Sequence, residues 1–221
     1  MSEQPNVARS LLHIHHIITR GLDVSIAKSR EFAETGFPNP SMKDGFVKYV
    51  GAFVTVLDAH HKTEDEMAFP YLRTIVETAP FKELEEEHKI IEEILPQIRT
   101  ALQKIASGAE EKKALASLQP LLASLKQAWH PHIEKEEKNF PVDLLGNKLA
   151  PEEHVRLIQE LSAHTRKIAK PDEVIVPFLL YNLEENERAA FSKALPSVVT
   201  EQLIPVVWKE KWQPMLPFFL K

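Results

Sequence analysis

HHKTEDEMAFP (residues 60–70) and HIEKEEKNFP (residues 132–141) are two versions of one pattern: a histidine, a glutamate four residues later, and a closing Phe-Pro. Residues four apart project from the same face of an α-helix at adjacent levels, so His60/Glu64 and His132/Glu136 each offer a paired nitrogen and oxygen. Working outward, apolar residues recur at steps of three and four on both sides of each motif. One stripe runs Val50, Phe53, Leu57, His60, Glu64, Met67, Tyr71, and the other runs Leu115, Leu118, Leu122, Leu125, Trp129, His132, Glu136, Phe140. That period identifies amphipathic helices, and the histidines and glutamates fall on the faces that turn inward.

Two further stripes carry one histidine each. The first is Ala8, Leu11, His15, Ile18, Leu22, Ser25, Ser29, Phe32, and the third is Phe81, Leu84, His88, Ile91, Leu95, Ile98, Leu102, Ile105. His15 stands almost as far ahead of His60 as His88 stands ahead of His132, so the chain reads as two similar halves with a pseudo-two-fold site between them. Breaks at residues 36–40, 78–80, 107–108 and 145–151 separate four long helices joined by short links, and short links favour antiparallel neighbours. The expected fold is all-α: an up-down antiparallel four-helix bundle over residues 1–150, with a C-terminal helical extension over 151–221 packed on it.

Composition narrows the function. The chain has 221 residues, 43% of them hydrophobic, enough for one substantial core. Acids and bases are interspersed with a formal charge of -5, which disfavours nucleic acid as the main partner. No apolar run reaches membrane-spanning length and the N-terminal stretch lacks a signal-peptide layout, so no membrane role and a cytoplasmic location are expected. Absence of cysteine excludes disulfides, thiolate metal sites and cysteine nucleophiles. Ten histidines are the anomaly.

A single histidine on an apolar face is ordinarily a satisfied core residue. Four of them sharing a core with two glutamates differ, because a buried carboxylate costs several kcal/mol unless paired or coordinated. The stripes supply no Lys or Arg over these turns, so a metal is the economical counter-charge for Glu64 and Glu136. Four imidazoles and two carboxylates suit two first-row metals, each taking two histidines, with the carboxylates bridging. His61 either joins the site beside His60 or is solvated. Glu92 and the Glu83–Glu87 run read as a solvated face, as do Asp65 and Glu66. His16 lies off the stripe, and His13, His130, His154 and His164 read as structural or surface residues. A ferritin-like pair of Glu-x-x-His motifs is missing, and no phosphate loop or nucleophile elbow occurs.

HIHHIITRGL, HHKTEDEMAFP, LEEEHKII and HIEKEEKNFP together resemble the hemerythrin-like (HHE cation-binding) domains over Leu11 to Pro141. The resemblance implies a non-haem di-iron centre, oxo- or hydroxo-bridged, with His15, His60, Glu64, His88, His132 and Glu136 matching the ligand positions; another first-row metal is an alternative. Oxygen-carrying hemerythrins have His-x-x-x-His in the third helix, where this chain has Glu92, and His-x-x-x-x-Asp in the fourth, where the stripe selects Glu136. A carboxylate-rich site favours the oxidised metals, because anionic ligands offset the higher positive charge. The expected role is therefore sensing or reacting with O2, peroxide, NO or iron level. A peroxide- or NO-reducing enzyme, or oxygen or iron storage, is the alternative. The extension resembles the tail of longer hemerythrin-like proteins. Its Trp208, Trp212, Phe218 and Phe219 either bury a bundle flank or form a homodimer or effector surface.

Overall fold

The computed structural model describes residues 5–108 and 110–220. Helix α1 (Val7–Thr35) starts where the Asn6 side chain accepts the Ala8 N–H, and α2 (Pro40–Thr63) where Asn39 accepts that of Met42, with Pro40 at the first helical position. A π-helical turn, Glu64–Ala68, and the short α3 (Phe69–Leu72) continue α2. Helix α4 (Phe81–Ser107) ends at Gly108, whose φ of 74 and ψ of 2 suit a residue without Cβ, and α5 (Glu111–Asn139) follows. Then come α6 (Val142–Lys148), α7 (Pro151–Ile168), α8 (Asp172–Tyr181), α9 (Glu185–Ala194), a second π-helical stretch (Val199–Val207), α10 (Lys209–Trp212) and a 3-10 turn (Gln213–Phe218). No strand occurs among the described residues, and no helix among them is long and apolar enough to cross a membrane.

The four long helices pack in a closed cycle: α1 on α2, α2 on α4, α4 on α5, α5 on α1. Two apolar clusters fill the interior. The larger contains Ile18, Leu57, Ile91 and Trp129; the smaller contains Ala8, Phe69, Leu84 and Phe140. His15, His60, His88 and His132 each lie, along their own helix, between a member of one cluster and a member of the other.

The π turn explains the main departure from the expected stripes. Phe69 N–H donates to the Glu64 carbonyl, five residues back, and Pro70 has no N–H with which to resume the α ladder. The wider turn advances the register by one residue. Ala68, Phe69 and Leu72 are therefore buried, whereas Met67 and Tyr71, assigned to the core stripe, are only half-buried.

The extension contributes to the larger core. Phe178, Ile204, Trp212, Met215, Phe218 and Phe219 are buried with the bundle residues, and only Trp208 of the four aromatic residues considered for a partner surface is partly exposed. The approach is close at Gly45 in α2, where an added Cβ would lie 1.9 Å from the Pro214 carbonyl oxygen. Tyr49 OH donates to Asn182 Oδ1 at 2.7 Å nearby, tying α2 to the end of α8.

Candidate metal centre

The layer between the two apolar clusters holds His15 from α1, His60 and His61 from the end of α2, Glu64 from the π turn, His88 from α4, and His132 and Glu136 from α5. None is more than 5% exposed. Donor atoms of His15, His60, Glu64 and Glu136 all lie within 4.8 Å of one another, as do those of His61, His88 and His132, and those of Glu64, His88, His132 and Glu136. The two glutamates thus face both histidine groups. Glu136 turns Oε2 to His15 Nε2 at 3.1 Å and Oε1 to His132 Nε2 at 3.5 Å. Glu64 Oε2 is 3.4 Å from His60 Nε2 and 3.6 Å from His88 Nε2.

Three imidazoles are held from behind by carboxylates. His15 Nδ1 donates to Glu137 at 3.0 Å, His88 Nδ1 to Asp65 at 2.8 Å, and His132 Nδ1 to Glu87 at 3.1 Å. Lys135 in turn bonds Glu87 and Glu83. An ionised carboxylate only accepts, so each Nδ1 carries the hydrogen and the neutral ring presents its Nε2 lone pair to the centre. The Nε2 atoms of His88 and His132 are nevertheless 3.1 Å apart. Two lone pairs at that separation repel unless a proton or a cation lies between them. Two nitrogens at about 2.1 Å from one ion, at right angles, stand about 3.0 Å apart, so the pair has the spacing of adjacent donors on a single metal.

Unpartnered polar atoms converge on the same space. His60 Nε2, both nitrogens of His61, and both oxygens of Glu64 and Glu136 are buried without a hydrogen-bond partner. Leaving such groups unsatisfied costs roughly 1–3 kcal/mol each, so the sequence retains them against stability. Burial, reinforced by Glu136 and Asp65, pushes the Glu64 carboxyl well above the usual range. Burial acts the same way on Glu136, but the close approach of His15 and the nearby imidazoles of His132 and His88 outweigh it, and its pKa falls. Burial opposes a proton on His15, yet Glu136 and Glu137 raise its pKa. Burial and neighbouring imidazoles hold His60 and His61 well below the ordinary histidine value, and His132 is also lowered, by burial first. A layer that disfavours protons on these three histidines and leaves His60 Nε2 and both His61 nitrogens without a partner is chemically suited to a metal cation.

All seven residues singled out from sequence are brought together, including His61, whose solvated alternative is excluded by its 0% exposure. Its ring stacks on His88 at 4.1 Å, and it shares one group of close donor atoms with His88 and His132. Trp129 backs the layer with its ring 5.6–6.0 Å from those of His15, His60, His61 and His132, and its Nε1 donates to Thr19. Glu92 joins none of the groups. Asp65 and Glu87, read as solvated face, are instead the partners of His88 and His132, and Glu137 partners His15. The available signal was adjacency, since each of these acids directly neighbours a core-stripe residue. Of the remaining histidines, His154 is buried and accepts the Val7 N–H at the start of α1, His164 bonds Thr63 and Glu66, and His13 and His16 lie near Glu187.

A helical cycle enclosing a buried layer of histidines and shared carboxylates defines a class: helical proteins whose interior fits metal cations. The hemerythrin HHE cation binding domain matches residues 6–141, well over half of the chain, and the chain belongs to that family. Neither the comparison with curated proteins nor that with solved structures gave a match.

Proposed function

We propose that this protein holds two iron ions, one by His15 and His60, the other by His61, His88 and His132, with Glu64 and Glu136 shared, in an up-down antiparallel four-helix bundle. The alternating order of the two apolar clusters along α1, α2, α4 and α5 supports that topology. The observation that carries the metal reading is the 3.1 Å contact between the His88 and His132 Nε2 atoms, whose Nδ1 atoms are both engaged by carboxylates. Mixed imidazole and carboxylate donors suit iron among the first-row metals. Bound there, iron would supply one-electron redox chemistry and an open position for O2, NO or peroxide.

The chain's own part is to orient and insulate. Glu137, Asp65 and Glu87 fix three rings with Nε2 inward, while Trp129 and Phe69 wall the layer off from bulk water. Glu64 and Glu136 would offset the charge of oxidised iron, and sensing of, or reaction with, O2, peroxide or NO is the role proposed, with reversible oxygen carriage the alternative that the spectra separate. Metal quantification together with absorption spectra of reduced protein before and after O2 tests the proposal. Less than about one metal per chain in protein purified without chelator counts decisively against it. A ligand-to-metal band that returns on cycling indicates reversible binding, irreversible oxidation indicates sensing, and turnover of peroxide or NO indicates an enzyme.

A further inference from the structure

The candidate centre is sealed on most sides, which raises the question of how an ion reaches it. A cavity of about 260 Å³ opens between the N-terminal half of α1 and the end of α5. Its outer part is lined by Leu12, Glu137 and Pro141, all at least partly exposed, and its inner part by Ala8, His15, Glu136 and Phe140, all buried. A larger depression of about 610 Å³, lined by Arg73, Glu83 and Glu86 among others, includes none of the seven centre residues.

The smaller cavity has a graded set of polar groups. At the mouth, Glu137 is 38% exposed and accepts from His15 Nδ1 at 3.0 Å. At the inner end, His15 Nε2 lies 3.1 Å from Glu136 Oε2, and both oxygens of Glu136, itself 2% exposed, have no hydrogen-bond partner. A divalent cation leaving water needs replacement oxygens at each stage, because shedding its hydration in an apolar passage is otherwise prohibitive. Six waters occupy about 180 Å³ at about 30 Å³ each, so the cavity has the volume of a hydrated ion.

We infer that this cavity is the loading route for the metal, in which Glu137 captures a divalent cation at the mouth and passes it along His15 to Glu136. The inference rests on the metal-centre reading above and adds to it a route and a capture residue. Glu137 serves two purposes: its hydrogen bond orients His15 and its charge draws the ion in. Glutamine preserves an acceptor oxygen and removes the charge, which separates them.

The test is the rate of Co2+ uptake by full-length protein stripped with a chelator, followed by stopped-flow absorbance, with final metal content measured in parallel. Glu137→Gln slows uptake by about tenfold at low salt, a difference that shrinks as ionic strength rises. Leu12→Trp, which narrows the mouth and leaves every proposed ligand in place, slows uptake at every salt concentration. Glu86→Gln, on the larger depression, takes up Co2+ at the parent rate. Unchanged rates in both Glu137→Gln and Leu12→Trp, or equal slowing by Glu86→Gln and Glu137→Gln, overturn the route while leaving the centre intact. Failure of the parent protein to take up any Co2+ overturns the centre itself.

Discussion

Gly45 and Gly51 lie in the same helix, and the same substitution at each is expected to act in opposite directions. Alanine in a helix interior is favoured over glycine by about 1 kcal/mol. At Gly51 an added Cβ meets nothing within 4 Å, so Gly51→Ala should collect most of that gain. At Gly45 the Cβ would stand 1.9 Å from the Pro214 oxygen and 2.6 Å from its carbonyl carbon, against an ordinary contact of 3.4 Å or more. No rotamer change relieves a clash with backbone, so the C-terminal segment must retreat by more than an ångström. That segment carries Met215 and Phe218, 0% and 2% exposed, each contributing roughly 1.5–3 kcal/mol by burial. Partial withdrawal costs about 1–3 kcal/mol by the measure of overpacked cores, and full release costs more. The net expectation is a loss of about 1 kcal/mol for Gly45→Ala, which lowers the melting temperature by about 2–4 °C for a chain of this size, and a gain of up to about 1 kcal/mol for Gly51→Ala. Urea and thermal unfolding of the full chain measure both. Gly45 is about 22 Å from His60 along the helix axis at 1.5 Å per residue, so metal content should not change. If Gly45→Ala is as stable as Gly51→Ala, the extension does not belong to the core.

The remaining predictions concern the centre. His60→Ala should lower metal content toward one ion per chain through loss at the His15 group, and His61→Ala should weaken the His88/His132 group; equal content and affinity in His61→Ala would restore the two-and-two division. Glu87→Gln removes a charged partner of His132 and should reduce metal affinity by about 10–100-fold, read by competition with a chelating dye. Because the Glu64 pKa is raised in the folded chain, Glu64 contributes a fall in the stability of chelator-treated protein as pH rises from 4.5 toward its folded pKa, set against the rise toward pH 6.5 contributed by His60, His61 and His132, which the folded state holds neutral. Glu64→Gln should lack that decline, and parallel pH–stability curves for the two proteins would contradict it.

How much of this could be read from the sequence depended on whether a feature follows helical period. Leu115, Leu118, Leu122, Leu125 and Trp129 are all 0% exposed, as their spacing predicts, and the core histidines and glutamates follow because they keep the same step. Periodicity failed at the π turn, where one additional residue moved burial from Met67 to Ala68. It also left His61 undecided, since a residue beside the stripe can point into the layer only if a neighbouring helix supplies the space. Asp65, Glu87 and Glu137 were illegible for another reason. Each bonds a histidine on a different helix or turn, and the geometry that selects them from the surrounding glutamates is tertiary. The extension's aromatic content was plain, but the Gly45–Pro214 approach that fixes its position is a backbone contact with no side-chain signature.

The extension meets the bundle in two chemically distinct places, and these should separate stability from metal binding. At the end remote from the centre the contact is apolar, and Phe218→Ala should cost about 3–5 kcal/mol, as for other buried aromatic truncations, with metal affinity unchanged. At the centre the contact is polar. Thr63, next to Glu64, donates its hydroxyl to the Ala59 carbonyl and lies 3.1 Å from His164 Nδ1 and 3.0 Å from Thr165 Oγ1, while His164 Nε2 reaches Glu66 at 2.9 Å. Helix α7 therefore grips the π turn on both sides of Glu64. His164 is 20% exposed at its side chain and lies outside both apolar clusters, so His164→Ala should change stability by less than about 1 kcal/mol. It frees the π turn that aims Glu64, however, and should weaken metal binding by about tenfold, at the lower end of the range for groups that support ligands from outside. Chelator competition and unfolding measured on the same two variants decide the matter: metal lost from Phe218→Ala and retained by His164→Ala would mean that the core, and not α7, sets the geometry of the π turn.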